Sequence, residues 1–147
     1  MKVSVLLWIA VLWSPGIALF PKALAGDAEA EAKAIEAIIA TYVASGDQQD
    51  PELAAKVLHP DYAQFLDLGK GIKRFSRGHY QDALRSKSIG GENRKFTLEY
   101  LDITANTAAA KVVITGGRLR FTDYVTLMKS SRGWEIVSIT LSVKPDS

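Results

Sequence analysis

Residues 119–129 read Leu-Arg-Phe-Thr-Asp-Tyr-Val-Thr-Leu-Met-Lys, and this stretch decides the fold. Side chains alternate faces along a strand. Leu119, Phe121, Asp123, Val125 and Leu127 therefore share one face, apolar except for Asp123. Arg120, Thr122, Tyr124, Thr126 and Met128 form the other, suited to water or to a second copy. Alternation of this kind belongs to a half-buried strand. Similar stretches cover 95–103, 108–115 and 134–143, separated by Asn106, Gly116-Gly117 and Ser131-Arg132-Gly133. A meander follows, with the paired glycines predicting a tight hairpin.

Upstream the period changes. Ala32, Ile35, Ile38, Ile39 and Tyr42 recur at three- and four-residue steps, predicting a helix over 27–45 with Asp27 as cap and Gly46 as terminator. Asp50-Pro51 opens a second short helix to about Leu58, stopped by His59-Pro60. A strand is expected over 62–68, a turn at Gly69-Lys70-Gly71, and a third helix over 77–87 capped by Ser76. Helices first and an antiparallel meander last is the order of an α+β domain.

Residues 1–25 stand apart. Lys2 precedes an apolar run, Val3 to Trp13, then Ser14-Pro15-Gly16, and Ala23-Leu24-Ala25 forms a small-residue cleavage pattern before Gly26. This is the layout of a signal peptide, with residues 26–147 as the domain and the periplasm or the outside medium as destination. The apolar run is shorter than the roughly 20 residues that span a bilayer, so no membrane contact is expected after cleavage. Of the net charge of +2, Lys2 and Lys22 supply all, leaving sixteen basic and sixteen acidic residues downstream. With no basic stripe, nucleic acid is not the expected partner. Cysteine is absent, so the core alone must hold the domain.

Three segments carry a resemblance: Ile38-Ile39-Ala40-Thr41-Tyr42, Leu58-His59-Pro60-Asp61-Tyr62-Ala63, and residues 121–129 followed by Arg132-Gly133-Trp134-Glu135-Ile136-Val137. Their order and spacing resemble the nuclear transport factor 2-like superfamily, in the branch termed "putative lumazine-binding". The resemblance implies a cone, three N-terminal helices packed on a strongly curved, mostly antiparallel sheet. It also implies a cavity at the open end and a homodimer through the sheet.

The residues themselves suggest a site. Asp123 lies on an apolar face, where a carboxylate must find donors or take up a proton. Phe121 shares that face; Ala63, Phe65 and Asp67 are read as sharing a face of the first strand; Tyr42 is on the apolar stripe of the first helix. By likeness to ketosteroid isomerases, which serve as a general example of such sites, Tyr42 is a donor, Asp123 a protonated donor and Asp67 a base. Leu68 stands where those enzymes have proline. The competing readings are a structural Asp123 satisfied by Arg74 or Arg77, a core-filling Tyr42 and a turn-forming Asp67.

The expectation is a pocket for a small organic ligand, formed by Tyr42, Phe65, Asp67, Phe121 and Asp123. Proton-transfer catalysis and a protein-interaction module are the alternatives. Arg94, Arg118 and Arg120 suit the mouth for an acidic ligand. His59 and His79 make no metal site by spacing, and no cofactor is implied.

Overall fold

The computed structural model describes residues 22–146, with side chains from Gly26 onward, so the expected leader lies outside the described side chains. Its elements are α1 (Lys22–Asp47), α2 (Pro51–Ala55), β1 (Leu58–Asp67), β2 (Ile72–Ser76), α3 (Arg77–Arg85), β3 (Lys95–Thr104), β4 (Thr107–Gly116), β5 (Leu119–Ser130) and β6 (Gly133–Pro145). The strands form one sheet in the order β2-β1-β6-β5-β4-β3. Every pairing is antiparallel except β1 with β6. Register shifts at 58/63, 98/100 and 126/127 break the ladders. Such irregularities bend strands and let a sheet curve round a helix. The α+β reading and the Gly116-Gly117 hairpin stand as expected.

The inner face is closed by α1. Ile35, Ile39, Tyr42 and Val43 are buried against Val112, Ile114, Val125, Leu127, Ile136 and Ile139. The spacing of the helical residues is that of an amphipathic stripe. At one end, Glu31 accepts hydrogen bonds from Trp134 Nε1 at 2.5 Å and from Lys129 Nζ, tying α1 to the β5–β6 hairpin.

Several boundaries differ from the sequence reading, for identifiable reasons. α1 already runs at Lys22, so Asp27 lies inside it and caps nothing. Gly46 stays helical, and the chain turns instead at Gln49, φ 54°. α2 ends at Ala55 because Leu58 is needed in the sheet, fully buried and opposite Ile136. His59-Pro60 thus belongs to the irregular start of β1, not to a helix stop. β2 is missing from the sequence reading. Asp67 Oδ1 accepts from the amides of Gly69, Lys70 and Gly71 and folds the chain back, pairing Ile72 with Asp67. α3 starts as expected, with Ser76 Oγ accepting from His79 N, but ends at Arg85.

Gly90 shows how closely the loop before β3 approaches α1. Its φ is +75°, and a Cβ there would lie 1.9 Å from the backbone oxygen of Gly46. Gly69 has φ +83° with open space around it. A side chain at Gly69 meets only the left-handed backbone cost, about 1 kcal/mol. Gly90→Ala meets the clash as well and is expected to lose more than about 2 kcal/mol. Urea unfolding of Gly69→Ala and Gly90→Ala side by side checks this; equal losses would mean that the loop does not press on α1.

Candidate functional site

A cavity of ≈ 530 Å³ lies between α1, α3 and the inner face of the sheet. Its walls are mainly apolar, including Leu66, Phe75, Ile114, Phe121, Leu141 and Val143. The sheet register explains the choice. Phe121 pairs with Ile114 and Val143, and Asp123 with Val112 and Leu141, so these six inner residues stand side by side on β4, β5 and β6.

Asp123 lines this cavity at 2 % exposure, and its Oδ1 has no hydrogen-bond partner. Burial raises its pKa from 3.8 to about 7, outweighing the opposing pull of Arg94. Neither Arg74 nor Arg77 satisfies it. Arg74 is exposed, and Arg77 Nη1 donates to Leu58 O at 3.2 Å.

Around the acid stand three tyrosines. Tyr42 and Tyr80 line the cavity with ring centroids 5.8 Å apart. Tyr62 is fully buried and donates to Gln64 Oε1 at 3.2 Å. Burial pushes all three phenols upward, Tyr42 and Tyr62 strongly, so each remains a neutral hydroxyl. The cavity therefore holds a carboxyl group able to keep its proton up to near-neutral pH beside phenolic donors. Such a set can donate to a carbonyl or another neutral acceptor.

Arg94, at the cavity wall, is held rather than free. Its Nε donates to Asp47 Oδ1 at 2.5 Å, its backbone N to Asp47 Oδ2 at 3.1 Å, and Nη2 to Val43 O at 3.3 Å. Its guanidinium carbon lies 5.9 Å from the Phe121 ring centroid.

Tyr42, Phe121 and Asp123 thus converge on the cavity. Phe65 and Asp67 do not, and this corrects the face assigned to β1. The parallel register sets Gln64 beside Ile139, which is fully buried, and Phe65 beside Thr140 on the outer face. Gln64, Leu66 and Leu68 are the inward residues. Asp67 is exposed and engaged by its three turn amides, so it faces no acid and no cavity. Tyr62 and Tyr80 escaped the sequence reading. The Tyr62, Leu66, Leu68 alternation was the available signal for the first; none marked the second. Arg120 pairs with Lys144 and Thr115 away from the cavity, whereas Arg118 sits in the β4–β5 turn. Among the described residues, no three His, Asp or Glu side chains gather as a metal site.

Comparison with known proteins agrees with this architecture. Residues 30–142 match the family model described as "Putative lumazine-binding". A nuclear transport factor 2-like protein of unknown function from Shewanella baltica OS155 superposes with a TM-score of 0.72 at 20% identity, covering 80% of this chain and 97% of that one. Another, from Silicibacter pomeroyi DSS-3, gives 0.73 at 15% identity, with 80% and 98% covered. A superfamily protein from Salmonella enterica serovar Typhimurium LT2 gives 0.61 at 17% identity, with 82% and 94% covered. Identities this low speak for the fold alone. No curated protein gives a significant match to the chain.

The state of Asp123 has a consequence for stability. In the folded chain the acid keeps its proton up to pH about 7, whereas unfolded it loses it near 3.8. Between those values the unfolded state binds fewer protons, so stability falls as pH rises, by about 4 kcal/mol in all, and is level above pH 7. Asp123→Asn removes this slope. The variant should match the parent within about 1 kcal/mol near pH 4, where the acid still holds much of its proton in both states. It should lead the parent by about 1–2 kcal/mol at pH 5 and by about 4 kcal/mol by pH 8. Denaturation at pH 4, 5, 6, 7 and 8 reads the difference; a constant gap would show the acid ionised throughout.

Proposed function

Because the chain belongs to the lumazine-binding-like family of the nuclear transport factor 2-like superfamily, we propose that it is an exported small-molecule-binding domain. Its ligand has a mostly apolar body and one neutral acceptor end. The observation that carries this reading is the unpartnered, buried Oδ1 of Asp123 at an apolar cavity large enough for an organic molecule. A buried polar atom without a partner is costly, about 1–3 kcal/mol, and a ligand acceptor that takes the carboxyl proton offsets part of that cost. Tyr42 adds a second donor, while Phe121 and Leu141 offer flat and aliphatic walls. The family description names lumazine, a flat bicyclic compound whose carbonyl oxygens are acceptors of the kind this donor set takes, although its ring nitrogens make it more polar than the cavity walls. Binding without chemistry is the reading because Asp67, the base that the likeness to ketosteroid isomerases implies, is committed to its turn. Export rests on the layout of residues 1–25.

Thermal melting of protein recovered from the periplasm, where its sequence should begin at Gly26, tests the proposal. The probes are lumazine and a panel of cyclic ketones. At a hundredfold excess over Kd, a binder adds about 3 kcal/mol, visible as several degrees in Tm. Asp123→Leu should abolish the shift. Absence of any shift across the panel, or equal shifts in Asp123→Leu, would sink the reading.

A homodimer through the outer sheet face belongs to the same proposal. Tyr100, Tyr124 and Met128 are exposed there, and Tyr100 and Tyr124 flank Lys111 on neighbouring strands. Exposed aromatics of this kind are common anchors of interfaces. Light scattering should give twice the chain mass, and Tyr124→Glu should yield monomers with unchanged far-ultraviolet dichroism. A parent that is monomeric at all concentrations refutes it.

A further inference from the structure

The rim of the cavity carries features that the cavity itself does not require. β6 is parallel to β1 and antiparallel to β5, so four segments reach the same end of the sheet. They are the β1–β2 turn, the end of β6, the β4–β5 turn and the loop entering β3. The cavity opens there, between Leu68, Ile89 and Leu119. Seven large apolar side chains are exposed among the described residues, and four of them are at this end. Leu68 and Ile72 protrude most, at 70% and 79% exposure, with Ile89 and Leu119 beside them.

Charge is concentrated in the same place. Residues 67–73, 87–95, 116–120 and 144–146 hold eight Lys or Arg; with Arg94 neutralised by Asp47, seven remain against three carboxylates, Asp67, Glu92 and Asp146. From Gly26 onward the chain as a whole is balanced, so this end is positive at the expense of the other. Asp67 also gives its Oδ1 to three turn amides.

We infer that this end docks on the surface of an anionic lipid bilayer. Leu68 and Ile72 enter the acyl boundary, and Lys70, Lys73 and Arg118 meet the headgroup phosphates. Aliphatic tips framed by basic side chains are the pattern of interfacial membrane contact. Protein hot spots are instead centred on Trp, Tyr and Arg in packed pockets, whereas the exposed apolar side chains at this rim are all aliphatic and most of its basic residues are lysines. Gly69 and Gly71, on either side of Lys70, have open space around them, so the tip projects clear of the rest of the chain. No helix among the described residues is long and apolar enough to cross a membrane. Docking departs from the expectation of no membrane contact, because the basic residues are scattered over four segments and meet only in the fold. A mouth resting on lipid would let an apolar ligand pass between bilayer and cavity without crossing water. Docking does not need the cavity to be filled.

Flotation of the soluble protein with vesicles tests this. Phosphatidylcholine vesicles containing phosphatidylglycerol should bind it, pure phosphatidylcholine should bind far less, and added salt should release it. Lys70→Glu with Lys73→Glu should weaken binding at least about twentyfold. Leu68→Ser with Ile72→Ser should weaken it about tenfold or more, with unchanged melting, since both side chains are exposed. Asp123→Leu should bind vesicles normally, which separates failure here from failure of the ligand reading. No binding to anionic vesicles, or binding that both rim variants retain, overturns the inference. Loss in the lysine variant alone, with Leu68→Ser and Ile72→Ser binding as the parent does, also overturns it, because no side chain would then enter the lipid.

Discussion

Arg94 is the point at which helix and sheet are joined at the open end of the molecule. Its guanidinium is committed to Asp47 and Val43 at the end of α1, while its backbone leads directly into β3 and its face lies over Phe121. Both partners of the ion pair are largely withdrawn from solvent, at 13% and 18% side-chain exposure, where removing either would strand a charge. The surroundings are shaped to this group. A Cβ on Gly46 would meet Arg94 Nη2 at 2.1 Å, and one on Gly116 would lie 2.9 Å from Arg94 Cα. α1 is thereby fixed at the sheet on one side of the mouth, and the space enclosed between Arg94, Phe121 and Asp123 persists as a cavity.

That arrangement accounts for the electrical state of Asp123. Arg94 lies near enough to draw the acid toward ionisation, yet its hydrogen bonds are already taken by Asp47 and Val43. Desolvation prevails, and the pKa rises to about 7. Had the guanidinium turned to Asp123 instead, the pair would have been a structural ion pair and the cavity would have lost its proton donor. The buried acid is a local cost retained at the one place where an apolar cavity needs a directional group. Sites that give up stability in this way are usually sites of function.

The sequence revealed the strands better than their surroundings. Alternation over residues 119–129 placed Asp123 and Phe121 on the inner face correctly, because β5 is central and strictly periodic through Asp123. On β1 the aromatic Phe65 points to the face of residues 63, 65 and 67, while the polar Gln64 interrupts the inward series Tyr62, Leu66 and Leu68, so composition favours the wrong face. Choosing the wrong one of two alternating faces exchanges the whole set, which puts Phe65 and Asp67 inward in place of Gln64 and Leu66. β2 was invisible since Lys73 and Arg74 carry no apolar alternation; only the Asp67 turn and pairing along β1 make it a strand. Gly46 read as a helix terminator, whereas its role is steric and depends on an arginine 48 positions away in the sequence. Local pattern conveys face and period, but the Arg94–Asp47 contact spans too much chain for any local signal to show it.

The two ends of the cone are built for different tasks. At the closed end Glu31 receives both Trp134 and Lys129, and the buried Glu135 takes Ser130 and Arg132, so polar groups are matched within the chain. At the open end the pattern reverses. Lysines stand without acidic partners in number, aliphatic tips protrude, and the buried acid keeps an unmatched oxygen. Unmatched groups in a folded chain are destabilising unless something outside the chain completes them. Here they differ in kind, an apolar cavity with one donor and a basic rim with apolar points. The simplest completion is one molecule inside and one surface outside, meeting at the same mouth.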